Sequence, residues 1–145
     1  MLAMNLTAHL PAYRRQQVEA RLHANLMAWL STVSPDGQPV SVPVWFAVRA
    51  DETIVIYSRP GKNKLRNLER NPLIALGLDV TDIGRDVIRI EGTAEHDPGF
   101  EPADEVPEYV AKYAERIGAL FGTAREFAAQ YSAQLIITPR RLFAA

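Results

Sequence analysis

The stretch LSTVSPDGQPVSVPVWF, residues 30–46, constrains the fold more tightly than any other part of this chain. Two runs of β-favouring residues flank Ser34, Pro35, Asp36, Gly37 and Gln38, a sequence made to reverse direction, so the runs are predicted to pair as an antiparallel hairpin. Pro43 lies inside the second run. It has no N–H to give to a ladder, which confines that strand to an edge or a bulge.

The same pattern continues along the chain. ETIVIYS predicts a third strand, LIALGLDV and DVIRIEGTAEH a fourth and fifth joined by the turn-like TDIGR, and AQLIITPRRLF a sixth in which Pro139 marks an edge or a bend. Residues 7–24 carry Leu10, Tyr13, Val18 and Leu22 at helical spacing, predicting an amphipathic lid or dimer support. Residues 103–133 read as helical, with Gly118 and Gly122 marking a break between two helices. Short strands with hairpin links, peripheral helices and no βαβ rhythm point to an antiparallel barrel, closed or nearly so. At 145 residues the chain is expected to form one domain, residues 1–145.

Composition removes several functions. There are no cysteines, which excludes disulfides, thiolate nucleophiles and cysteine-held metals, and His9, His23 and His96 lack metal-ligand spacing. No metal site is expected. No G-x-S-x-G accompanies any serine, and neither common nucleotide-binding glycine loop is present, so no catalytic acid, base or nucleophile is assigned. The absence of a long apolar run predicts a cytoplasmic protein without a membrane partner. A pI near 6.3 argues against nucleic acid.

Against that balanced background, RPGKNKLRNLERNP stands out. Arg59, Lys62, Lys64, Arg66 and Arg70 face a single acid, Glu69, so residues 59–70 sum to 5 − 1 = +4. Asn63 is read as an N-cap, Leu65 and Leu68 as the buried side of a two-turn helix, and Asn71 with Pro72 as its stop. Lysines at a helix start oppose the helix dipole, by about 0.3–1 kcal/mol each. The placement makes sense where an anion sits between them and the free amides, and its size fits a phosphate on a small molecule. Ser58 at the preceding strand end can add a hydroxyl. Alongside, Val42, Pro43, Val44 and Trp45 offer free backbone groups beside apolar side chains, a suitable wall for a flat heteroaromatic ring.

Taken together, the hairpin LSTVSPDGQPVSVPVWF, a strand ending in YS, the basic loop with its KLRNLERNP, and LIALGLD followed by VIRIEGTAE resemble the split β-barrel flavin-binding superfamily of pyridoxamine phosphate oxidase. The likeness is greatest to the branch that uses the deazaflavin coenzyme F-420 and covers about residues 25–97, extending weakly to ITPRRLF. It implies a mainly β, six-stranded split barrel with peripheral helices, paired as a homodimer with a cofactor site at each interface. By position, Lys62, Lys64 and Asn67 would hold the cofactor phosphate, with Ser58 beside them, and Val42 to Trp45 would lie along the ring. QLIITPRRLFAA only partly offers the Arg- and His-rich signature of the oxidase, so pyridoxamine phosphate oxidation itself is not expected.

The implied activity is hydride transfer from reduced deazaflavin to a small conjugated electrophile. An FMN-dependent oxidase or reductase on the same barrel, or a non-catalytic flavin-binding protein, are the alternatives. Arg85, Arg89 and Glu91 fall at alternate positions of the fifth predicted strand, where they would either face solvent or meet a cofactor tail from the second subunit. Tyr109, Tyr113, Phe121 and Phe127 would pack the core or cap a substrate pocket.

Overall fold

A computed structural model describes residues 5–80 and 83–145. Its seven strands are β1 (Ala28–Val33), β2 (Pro39–Val44), β3 (Ala47–Val48), β4 (Ile54–Ser58), β5 (Leu73–Leu78), β6 (Ile88–His96) and β7 (Ala133–Ala144). They form one antiparallel sheet in the order β2-β1-β5-β6-β7-β4-β3. The two edge strands, β2 and β3, are separated in the chain only by Trp45 and Phe46. The three Cα steps from Val44 to Ala47 span at most about 11 Å, so the sheet must curl until its edges nearly meet. This is a split barrel, mainly β as predicted, with β3 a seventh strand too short for the sequence pattern to reveal.

The predicted hairpin closes at Ser34–Gln38, where the Ser34 N–H donates to the Gln38 carbonyl at 2.9 Å and Gly37 takes φ +87°. In β1, Ala28, Leu30 and Thr32 point into the barrel while Trp29 and Ser31 face out. Pro43 is on an edge strand, paired only with Trp29 of β1. Of the two expectations for Pro139, the bend holds. The residue lies in β7, which is paired on both sides, and falls two residues past the last β4 pair at a bulge where Glu91 opposes Arg141 and Gly92 opposes Pro139. A Cβ on Gly92 would stand 2.3 Å from the Thr138 carbonyl oxygen, so the bulge admits only glycine there without backbone movement.

Four helices cover the barrel: α1 (Ala12–Ala24), α2 (Asn63–Arg70), α3 (Pro107–Phe121) and α4 (Ala124–Gln130). The first is shorter than predicted because Pro11 precedes it; Val18 and Leu22 enter the barrel core, whereas Tyr13 is 71% exposed. The α2 helix sends Leu65 and Leu68 into the same core and stops at Asn71, as expected. Its N-cap, however, is Lys62 and not Asn63, and no side chain caps it. Gly118 lies inside α3, so the only break is at Gly122, after which Thr123 caps α4 by accepting from the Glu126 N–H at 3.1 Å. The strand predicted over 86–96 begins at Ile88, which leaves Arg85 outside it, and Thr81 and Asp82 of the predicted turn lie outside the described residues.

Two hydrophobic layers result. Aliphatic side chains fill the barrel, and an aromatic layer lies between the outer face of β4 and the α3–α4 pair.

Candidate functional site

The aromatic layer is incomplete at one end, where a cleft of about 530 Å³ opens between the β2–β3 corner, the end of β4, the start of α2 and the late helices. Its size falls within the range of small-molecule sites. Six of the eight residues singled out from the sequence line it: Pro43, Val44, Trp45, Ser58, Lys62 and Lys64. The other two do not. Val42 packs against the barrel core, and Asn67 is 4% exposed with its amide donating to Thr32 Oγ1 at 3.1 Å. Asn67 ties α2 to β1, which is why a polar residue stands on the buried side of that helix.

The basic end of the cleft lacks a counter-charge. Among the described residues no carboxylate and no hydrogen-bond acceptor pairs with Lys62 or Lys64. Lys64 is half-buried, and desolvation, helped by the charge on Lys62, pushes its ammonium below the usual lysine range. With α2 uncapped by any side chain, its first amides and these two ammonium groups form a positive pocket. Ser58 is buried and its hydroxyl donates to the Arg59 carbonyl at 2.8 Å, leaving the oxygen as an acceptor. Arg59 itself is held by Gln130 at 3.2 Å and lies over the Tyr131 ring.

The other end is built of rings. Trp45 stacks on Tyr113 at 4.7 Å and on Phe127 at 5.7 Å, and Phe127 stacks on Tyr131 at 4.7 Å. Both interplanar angles at the indole are near zero, at 4° and 11°, so Trp45 is engaged within the chain and joins the β2–β3 corner to both late helices. Tyr113 accepts from the Phe46 N–H and donates toward the Leu26 carbonyl, each at 2.8 Å. Tyr57 donates to the Glu101 carbonyl at 2.8 Å. Tyr109, fully buried and in edge contact with Tyr57, has no hydrogen-bond partner for its hydroxyl. Burial and the surrounding tyrosines push that hydroxyl well above its usual range.

A model of the pyridoxamine 5'-phosphate oxidase family matches residues 15–144. The chain belongs to this family. No curated protein matches it. Among solved structures, an F-420 reductase is 24% identical with a TM-score of 0.65, covering 86% of this chain and 94% of that one. A putative pyridoxamine 5'-phosphate oxidase from Listeria innocua is 18% identical, TM-score 0.63, over 89% of this chain and 95% of that one. The heme storage protein HutZ from Vibrio cholerae is 17% identical, TM-score 0.62, over 89% and 92%. At such identities these structures share the fold, and their ligands differ.

Sequence reasoning weighed Tyr109, Tyr113, Phe121 and Phe127 as core or cap; all four pack the aromatic layer, and all but Tyr113 also line the cleft. It passed over Arg59, Tyr57, Tyr131, Met27 and Leu120 as site residues. Arg59 was within reach, as a member of the basic cluster. Arg89 and Glu91 share the outer face of β6, where Glu91 binds both Arg89 and Arg141, a solvated network apart from the cleft. Among the described residues no helix is long and apolar enough to cross a membrane, and no group of three or more metal-ligating side chains gathers.

The donor set fits a phosphate-bearing planar cofactor. Unpaired lysines and helix amides stand at one end, an apolar and aromatic wall continues from them, and that wall includes Tyr109, whose buried hydroxyl has no partner.

Proposed function

We propose that this protein is a cytoplasmic, coenzyme F-420-dependent oxidoreductase, one split-barrel domain over residues 1–145 that works as a homodimer. The observation that carries the reading is the unpaired Lys62 and Lys64 at the uncapped start of α2, opening into an aromatic cleft. In this reading Lys62, Lys64 and the first amides of α2 hold the phosphate, Ser58 receives a hydrogen bond from water bound beside it, and Pro43, Val44 and Trp45 border the ring. When bound, the deazaflavin supplies a hydride for a small conjugated electrophile. The chain's own contribution is to fix the cofactor by its phosphate, exclude water with the α3–α4 rings and leave the acceptor side of the ring open. A phosphate beside the half-buried ammonium of Lys64 favours its charged form, so binding is expected to weaken as pH rises through the lowered pKa of Lys64. The exposed outer sheet face carrying Trp29, Leu73 and Phe143 is where the two copies would meet.

The test is a fluorescence titration with coenzyme F-420 and, separately, with FMN, on the native protein and on a Lys62→Ala, Lys64→Ala double variant. Micromolar deazaflavin binding that weakens at least tenfold in the variant, about 1.4 kcal/mol, is the expected result. Preference for FMN would move the activity to a flavin oxidase or reductase. Binding that ignores both lysines would sink the phosphate assignment.

A further inference from the structure

Three tyrosines meet where β4 passes under α3, and they are not equivalent. Tyr57 and Tyr113 each place their hydroxyl on a backbone carbonyl, at 2.8 Å in both cases. Tyr109 stands between them, 4.9 Å from each ring centroid, with 0% of its surface exposed and its hydroxyl unpaired. A phenylalanine would fill the same volume without burying an orphan donor. The Phe127 ring stacked on it has no acceptor to offer, the Tyr57 and Tyr113 hydroxyls are turned to backbone carbonyls, and the residue forms part of the cleft wall.

We infer that the Tyr109 hydroxyl is the hydrogen-bond donor for an acceptor oxygen on the ring of the cleft's ligand, which makes Tyr109 a selector of that ring. This rests on the reading of the cleft as a flavin-type site. The chemistry recognised is a ring carbonyl, present in flavins and deazaflavins alike, so the contact is independent of the phosphate held at the start of α2. Because burial raises its pKa, Tyr109 stays a neutral donor throughout the physiological range and passes no proton. It acts by orienting the ring and by disfavouring apolar rings of equal size, which would leave the donor unpaired. The selection has a cost in the free protein, where the hydroxyl is buried for nothing.

Two readouts on Tyr109→Phe test this together. Titrated with coenzyme F-420, with FMN and with riboflavin, which lacks the phosphate, the variant is expected to bind each ligand that the native protein binds about three- to tenfold more weakly, by the same factor, as the loss of one hydrogen bond predicts. Without ligand it is expected to melt about 2–4 °C higher than the native protein, because the orphan donor is gone. The Lys62→Ala, Lys64→Ala variant should instead erase the preference for FMN over riboflavin. Unchanged affinity in Tyr109→Phe, or a lowered melting temperature without ligand, overturns the role of Tyr109 while leaving the phosphate site standing. Native protein that binds FMN no better than riboflavin removes the phosphate site and leaves Tyr109 to be judged on the riboflavin arm. Native protein that binds coenzyme F-420, FMN and riboflavin not at all overturns both.

Discussion

The two faces of β4 belong to two differently built layers. Ile54 and Ile56 turn into the barrel, among aliphatic side chains and a single phenylalanine, where the buried polar pair of Asn67 and Thr32 is mutually satisfied. Val55 and Tyr57 turn outward into a layer dominated by rings, which holds the one buried tyrosine hydroxyl left without a partner among the described residues. The inner layer is finished by the chain alone. The outer layer is left open at one end, and that incompleteness is what gives the molecule its cleft.

Three substitutions or conditions sharpen the contrast. Ile56→Ala, at a fully buried barrel position, is expected to cost about 2–5 kcal/mol in urea denaturation. A cost below about 1 kcal/mol would mean that the inner layer is as loosely built as the outer. Tyr57→Phe should cost about 1 kcal/mol, because it leaves the Glu101 carbonyl without its donor. Its sign should be opposite to that of Tyr109→Phe, although the two rings are in edge contact; equal signs would erase the distinction between a satisfied and a reserved hydroxyl. The smallest effect concerns Lys112, whose ammonium lies 3.7 Å from the Phe46 ring centre and is pushed by burial from 10.5 to about 8. Below pH 8 it is charged in both folded and unfolded chains, and the folded state bears the desolvation cost. Between about pH 8 and 10.5 the folded state gives up its proton first, so stability should rise with pH. The gain is about 1 kcal/mol or less once its exposed part is screened. Denaturation at pH 7.5 and 9.5 should show the rise in the native protein and a smaller one in Lys112→Met.

How much of this was legible beforehand follows the same division. The barrel strands announced themselves through β-branched runs cut by Gly, Pro and Asp, and IVIYS, apolar at nearly every position, had the pattern of a strand buried on both faces. Only β3 was missed, since two residues make no pattern. The basic end of the cleft was legible because charge in the wrong place at a helix start has few innocent explanations. Asn67 was misplaced, toward the phosphate, because an asparagine amid lysines reads as polar surface until the helix is given a direction. The aromatic end was hardest. Helical spacing shows that Tyr109 and Tyr113 share a face, but which hydroxyl finds a carbonyl depends on loops far away in the chain, at Leu26 and Glu101.

The position of β7 carries a consequence for how the molecule is made. It is the latest strand in the chain and yet lies in the middle of the sheet, with β6 on one side and β4 on the other. Until residues 133–144 have left the ribosome, the sheet exists as two fragments, β2-β1-β5-β6 and β4-β3, each with a raw edge facing the gap. Assembly of the barrel therefore waits for nearly the whole described chain to be translated. A ribosome stalled before that point would present two sticky half-sheets to chaperones and to neighbouring nascent chains.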